Sequence, residues 1–210
     1  MENDWKRCET QSFWGEIAPC DHVVQIYENN EIFIHTLQEF VVGGLRTGDC
    51  VILIATAEHL QALRDRLQDH ELDLPAVLAS QQLLLLNAEE TLAKFMRNGW
   101  PDETLFNKVV DGLFATARRD SRRVRAFGEM VAVLWAQGRN GATVRLEHLW
   151  NKFCEREAFS LFCAYPKSGF TQDPASSIQH ICATHTKVIS GDEIPSGGIN
   201  YMRVDRAQAG

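Results

Sequence analysis

A carboxylate placed directly behind a buried apolar run is costly unless it is solvated, paired or used. Glu129 holds such a position, behind Val124-Arg-Ala-Phe-Gly128. It can act as a cap or salt-bridge partner, or it can meet a ligand, and the sequence leaves both roles open. His59, with Glu58 beside it, follows the apolar run 50–55 and is expected to be exposed in the first turn of a helix. Tyr27-Glu28 closes the run 22–27, Asn87 with Glu89 and Glu90 follows 82–86, and Tyr165-Pro166-Lys167 closes 159–165. Met130 and Trp135 stand close enough behind Glu129 to roof the same space, or to belong to the core. Aromatic and apolar surface with a few polar groups is what a small-molecule pocket needs. The candidate ligand-binding residues are therefore Tyr27, Glu28, His59, Glu129, Met130, Trp135 and Tyr165.

Catalytic chemistry has weaker support. A P-loop needs G-x-x-x-x-G-K-[ST], whose backbone N–H groups and lysine cradle phosphates. Behind the run 22–27 the chain reads Glu28-Asn29-Asn30-Glu31, and two carboxylates there repel a triphosphate. There is no G-x-S-x-G elbow, H-E-x-x-H or G-x-G-x-x-G. No nucleophile–base pair can be named, so neither an enzyme nor a cofactor is expected. An enzyme built on Glu129 with His59 or Glu89 stays as a minor alternative.

Elements that could hold these residues follow from periodicity. Residues 22–27 read as a strand. Asn29 or Asn30 can cap a helix with Glu31 in its first turn. Its stripe is Ile32, Phe33, Leu37, Phe40, Val41 and Leu45, and Gly43-Gly44 with Thr47-Gly48-Asp49 are expected to end it. Residues 50–55 show no polar alternation, as in a parallel strand buried on both faces. Thr56 is a plausible N-cap for a helix carrying Leu60, Leu63 and Leu67, and Pro75 breaks the pattern. Residues 82–86 read as a third strand and 89–96 as a short helix closed by Asn98-Gly99. Pro101-Asp102 opens a long helix with Leu105, Phe106, Val109, Val110, Leu113, Phe114 and Ala117 on one face. Arg118, Arg119, Arg122, Arg123 and Arg125 then favour the helix end and solvent.

Residues 124–127 and 159–165 are further strands, separated by a helix over 143–157 with Leu146, Leu149, Trp150 and Phe153 on its apolar face. Residues 178–189 are a last helix or strand pair. The order βαβαβααβαβ means an open, mostly parallel sheet with helices on both faces, a three-layer α/β/α fold. In such sheets ligands bind beyond the carboxyl ends of the strands. That rule is what gathers the candidate residues. Residues 1–20 are expected to be an irregular arm, 21–189 the domain, and 190–210 a flexible tail.

Composition sets the outer bounds. The 210 residues are 45% hydrophobic and 23% charged, ordinary for one globular domain. The net charge of −7 repels nucleic acid and anionic membrane, so neither is an expected partner. No apolar run is long enough to span a bilayer and no signal peptide is evident, so a cytoplasmic location is expected. The six cysteines contain no C-x-x-C pair, and Cys50 and Cys163 read as small hydrophobes in strands. Cys182-x-x-His185 has half the spacing of a zinc site without a second half, so no metal is expected.

Two segments carry a resemblance. One runs from His22-Val-Val-Gln-Ile-Tyr27 through Phe40-Val-Val-Gly-Gly-Leu-Arg-Thr-Gly-Asp-Cys-Val-Ile-Leu-Ile-Ala-Thr-Ala-Glu-His59. The other joins Arg125-Ala-Phe-Gly-Glu-Met130 and Leu134-Trp135 to Leu146-Glu-His-Leu-Trp-Asn151 and Phe159-Ser-Leu-Phe-Cys-Ala-Tyr-Pro166. Both resemble the MEDS family, the methanogen/methylotroph DcmR-type sensory domain. Asn87-Ala-Glu89, Phe95-Met96, Pro101-Asp102 and Ile181-Cys-x-x-His185 fit the same pattern, and the likeness covers about residues 20–190. It implies a RecA/KaiC-like fold without a working nucleotide site. It also implies a sensor of small hydrocarbon derivatives that works beside a helix-turn-helix or histidine-kinase module. No such output module is visible in these residues. The expected partners are thus a small organic ligand and a separate histidine kinase or transcription regulator, unless the chain is the sensor part of a longer protein. A homo-oligomer, a ligand-free interaction module and a degenerate nucleotide binder remain alternatives.

Overall fold

Successive strand residues point to opposite faces of a sheet. In Cys50–Ala55 both faces are apolar: Cys50, Ile52 and Ile54 enter one core, and Val51, Leu53 and Ala55 the other. A strand of this kind must lie in the middle of three layers, and the computed structural model, which describes residues 5–68, 72–194 and 197–204, has that architecture.

The elements run β1 (Lys6–Glu9), α1 (Thr10–Gly15), β2 (His22–Tyr27), α2 (Asn30–Arg46), β3 (Cys50–Ala55), α3 (Ala57–Gln68), α4 (Leu74–Ala79), β4 (Leu83–Asn87) and α5 (Ala88–Ala93). A small hairpin follows, β5 (Met96–Arg97) and β6 (Trp100–Pro101), then α6 (Glu103–Ala117), β7 (Val124–Gly128), α7 (Met130–Ala136) and α8 (Asn140–Glu157). The chain ends on β8 (Ser160–Pro166), α9 (Pro174–Ala183), β9 (Lys187–Ile189) and β10 (Gly198–Arg203). The main sheet has the order β1-β10-β9-β2-β8-β7-β3-β4. From β9 to β4 all neighbours are parallel, while β10 and β1 add an antiparallel edge. Helices α1 to α4 cover one face through Trp14, Phe33, Phe40, Leu63 and Leu74. Helices α5 to α9 cover the other through Leu92, Phe106, Leu134, Trp150 and Ile181.

Local signals explain most boundaries. Asn29 caps α2 by accepting the Ile32 N–H at 3.1 Å, and Asp102 caps α6 by accepting the Leu105 N–H at 2.9 Å. Asn98-Gly99, expected to close a helix, is the left-handed turn of the β5–β6 hairpin. Gly43 and Gly44 do not end α2, which continues to Arg46. Their use is close packing: a Cβ on Gly44 would lie 2.7 Å from both Arg125 Cδ and Val51 Cγ2, and one on Gly43 would lie 2.9 Å from Trp14 Cβ.

Both ends of the chain depart from expectation. The arm forms β1 and α1, with Phe13, Trp14 and Ile17 buried against α2. Residues 198–203, placed in the expected tail, form β10, which pairs with β1 and β9. Each strand lacks an apolar signature of its own and gains its hydrogen bonds from the other. Residues 205–210 of that tail lie outside the described residues. Among the described residues no helix is long and apolar enough to cross a membrane.

Candidate functional site

The parallel strands share one carboxyl edge, and two adjacent ones, β3 and β7, end at Ala55 and Gly128. Glu129 stands between that strand end and α7. Its own N–H donates to the Ile54 carbonyl at 2.8 Å, which turns the side chain back across β3. One carboxylate oxygen then accepts the Thr56 N–H at 2.8 Å, and the other meets His59 Nδ1 at 2.6 Å. A carboxylate can only accept, so Nδ1 carries the proton donated to it. Thr56 begins the α3 turn, with its hydroxyl 3.4 Å from the His59 N–H. His59 is only 8% exposed and Glu129 only 5%, so the pair is an inner one. The expected exposure of His59 in a first helical turn is corrected by this contact, because α3 starts directly over the end of β7.

Aromatic rings complete this side. Phe33 meets the His59 ring edge-on at 4.9 Å between centroids and stacks on Tyr27 at 4.7 Å. Burial first, and then the charges of Glu129 and Glu58, push the Tyr27 hydroxyl above its ordinary value, so it stays a neutral donor. Tyr27, His59 and Glu129 are thus brought together. The other candidates are not part of that group. Met130 is fully buried in the opposite core. Trp135 packs on Phe170 at 5.1 Å and Tyr165 at 6.3 Å, and its indole N–H donates to the Gly169 carbonyl at 3.1 Å. Glu28 is exposed and ion-paired with Lys167. The seven residues therefore flank one sheet edge on two faces. A cavity of about 80 Å³ lined by Asp49, Arg122, Arg123 and Ser160 lies at the opposite, amino edge and touches none of them.

The family model of the methanogen/methylotroph DcmR sensory domain, MEDS, matches residues 21–186, from the start of β2 to the turn before β9. The chain belongs to the MEDS family. No curated protein matches it. The family match includes the Glu129–His59 pair, whereas β1, α1, β9 and β10 lie outside it.

Two further polar constellations in this MEDS domain were not anticipated. Arg125, expected to face solvent, is 1% exposed at the second position of β7. Its Nε donates to Asp49 Oδ2 at 2.9 Å and its Nη2 pairs with the same oxygen. Nη1 donates to the Trp14 carbonyl at 3.0 Å, and Nη2 reaches the Thr47 hydroxyl at 3.3 Å. Its position inside an apolar strand run was the available signal.

The second constellation sits on the α8 side of the sheet. His22, Glu147, Cys163 and His185 are all buried, and one ligand-type atom from each lies within 4.8 Å of the others. Tyr165 donates its hydroxyl to Glu147 Oε1 at 2.5 Å. Burial pushes the Glu147 carboxyl up to about 7 despite that hydrogen bond, and burial raises the Cys163 thiol well above its usual range. Cys182, the other half of the spacing noted in the sequence, is not among the four. The signal for Glu147 was a carboxylate inside the stripe Thr143, Leu146, Trp150 and Phe153, at four residues from the first and three from the third.

Proposed function

We propose that this MEDS domain is a non-catalytic sensor that binds a small organic ligand at the carboxyl edge of its sheet. In this reading it relays binding by docking to a separate histidine kinase or transcription regulator. Membership of a sensory family supports the general role. The specific reading rests on one observation, the Glu129–His59 pair bridging the ends of β3 and β7. Glu129 fixes Nδ1 as the protonated nitrogen, which leaves Nε2 as an acceptor for a hydroxyl, amine or thiol. Phe33 and Tyr27 supply the apolar wall that a short hydrocarbon body needs.

The same pair supplies a relay. Glu129 is the N-cap residue of α7, and its carboxylate holds the first turn of α3 through Thr56 and His59. A ligand engaging Nε2 changes the hydrogen bond to Glu129 and so acts on both helices. The bond that shifts is buried, where an unsatisfied group is expensive and the response is correspondingly large. This reading assigns the domain to the cytoplasm and gives it no direct nucleic-acid or membrane contact. It also gives it no nucleotide: Glu28 and Glu31 remain where a P-loop would stand, Glu31 pairing with Arg66 and Glu28 with Lys167.

The test is a thermal-shift panel of short alcohols, amines, carboxylates and halogenated hydrocarbons, with ATP as the control. Binding to the native state alone stabilises by about 2.7 kcal/mol at a hundredfold excess over Kd. A shift is expected from at least one small organic compound and none from millimolar ATP, with the organic shift lost in His59→Ala. A shift from ATP, or an organic shift that survives in His59→Ala, contradicts the proposal.

A further inference from the structure

We propose that His22, Glu147, Cys163 and His185 form a closed four-ligand site for a divalent transition metal, with zinc the best match. The four residues come from separate parts of the fold: the first residue of β2, the middle of α8, the middle of β8 and the turn between α9 and β9. His22 Nε2 lies 3.3 Å from Cys163 Sγ and 3.6 Å from Glu147 Oε2, and His185 Nε2 lies 3.8 Å from Glu147 Oε1. A tetrahedral zinc with Zn–N and Zn–O near 2.1 Å and Zn–S near 2.3 Å has donor–donor edges of about 3.4–3.6 Å. The close pairs already have that spacing. The widest separation, 4.8 Å, needs a small side-chain movement to close.

The outer hydrogen bonds argue for a cation more strongly than the distances do. The Asn151 amide N–H donates to the Thr184 carbonyl at 3.4 Å, which sets its oxygen toward His22 Nδ1 at 2.9 Å. His185 Nδ1 lies 2.7 Å from the Ile181 carbonyl, an atom that can only accept. Both histidines therefore carry their proton on Nδ1, and both turn an unprotonated Nε2 toward the cluster. Metal-bound histidines are held in this way, with the outer N–H committed to a carbonyl or carboxamide oxygen. Glu147 is held likewise, by the Tyr165 hydroxyl on Oε1, while its buried Oε2 has no hydrogen-bond partner and faces the same centre. Two imidazole lone pairs, a carboxylate and a sulfur thus converge where water has no access. The Cys163 thiol is the donor in its 3.3 Å contact with His22 Nε2, and a divalent cation would displace that proton and take bonds from all four groups.

The donor set selects the metal class. Two imidazoles, one carboxylate and one thiolate suit zinc, whereas magnesium and calcium take oxygen ligands. Four protein ligands leave no open position, which is the character of a structural site rather than a hydrolytic one. Binding releases the Cys163 proton to solvent as the Zn–S bond forms, and no electron is transferred. The metal would pin β2, β8, α8 and the start of β9 together. This inference is independent of the ligand reading at Glu129 and His59.

The experiment is metal analysis of the purified full chain, followed by removal of metal with a chelator and refolding with cobalt. One zinc per chain is expected. Cobalt in its place should give tetrahedral d–d bands and a thiolate-to-cobalt charge-transfer band. Cys163→Ser should abolish that band, Cys182→Ser should leave it, and Asn151→Ala should weaken metal affinity about 10–100-fold. A wild-type chain that folds metal-free and takes up neither zinc nor cobalt overturns the site. So does bound cobalt without a thiolate band, or a band that survives in Cys163→Ser. If Cys163→Ser does not fold, the wild-type cobalt spectrum and the Cys182→Ser control decide.

Discussion

Two buried acid–base pairs bridge β3 and β7, one at each end of the strands. At the amino end Asp49, just before β3, holds Arg125 of β7. At the carboxyl end Glu129, just after β7, holds His59 beyond β3. The first is saturated: the guanidinium bonds Asp49, the Trp14 carbonyl and the Thr47 hydroxyl, and lies 5.5 Å from the centre of the Phe40 ring. The second engages Nδ1 of its imidazole, and in the proposed reading the ligand would meet the other nitrogen. An arginine whose N–H groups are all committed serves the fold, as it does here by fastening α1 to α2 and the sheet. A histidine oriented by a carboxylate and not otherwise committed is suited to recognition. Burial alone does not separate the two pairs; what separates them is hydrogen-bonding capacity left over.

Substitutions can break this contrast, and the amino-end pair should give the largest effect. Asp49→Ala strands the Arg125 charge in the core and should destabilise the protein by about 3–5 kcal/mol, read as a fall in the urea midpoint. Gly44→Ala pushes a methyl into Arg125 Cδ and Val51 Cγ2 and should cost about 1–3 kcal/mol in the same measurement. At the carboxyl end, Glu129→Gln keeps an oxygen for the Thr56 N–H and should cost about 0.5–1.5 kcal/mol, while ligand or partner binding falls sharply. The smallest effect belongs to Glu28→Ala, whose exposed pair with Lys167 should leave the urea midpoint unchanged. If Glu129→Gln destabilised the protein as much as Asp49→Ala and left binding intact, the two ends would have the same structural role.

The contrast also marks what the sequence could reveal. The central strands and α2, α3, α6 and α8 were legible because their apolar periods are local and long. The carboxyl-edge rule then pointed to Tyr27, His59 and Glu129 without contact information. Which of the edge residues touch was not legible, since Tyr165 and Met130 alternate onto the other face while Tyr27 does not. The terminal strands were hidden because β1 is largely exposed and finds its partner about 190 positions away, in a stretch that reads as a loop. The His22, Glu147, Cys163 and His185 cluster was hidden for the same reason: each residue has an ordinary local reading, and only the crossovers bring them together.

Native mass spectrometry of the wild-type chain beside His59→Ala tests the central claim most directly, with release and identification of whatever is bound. The account predicts that the wild type carries a small organic compound with one polar group, and that folded His59→Ala is recovered without it. A compound retained equally by both proteins, or a nucleotide released from the wild type, would contradict it.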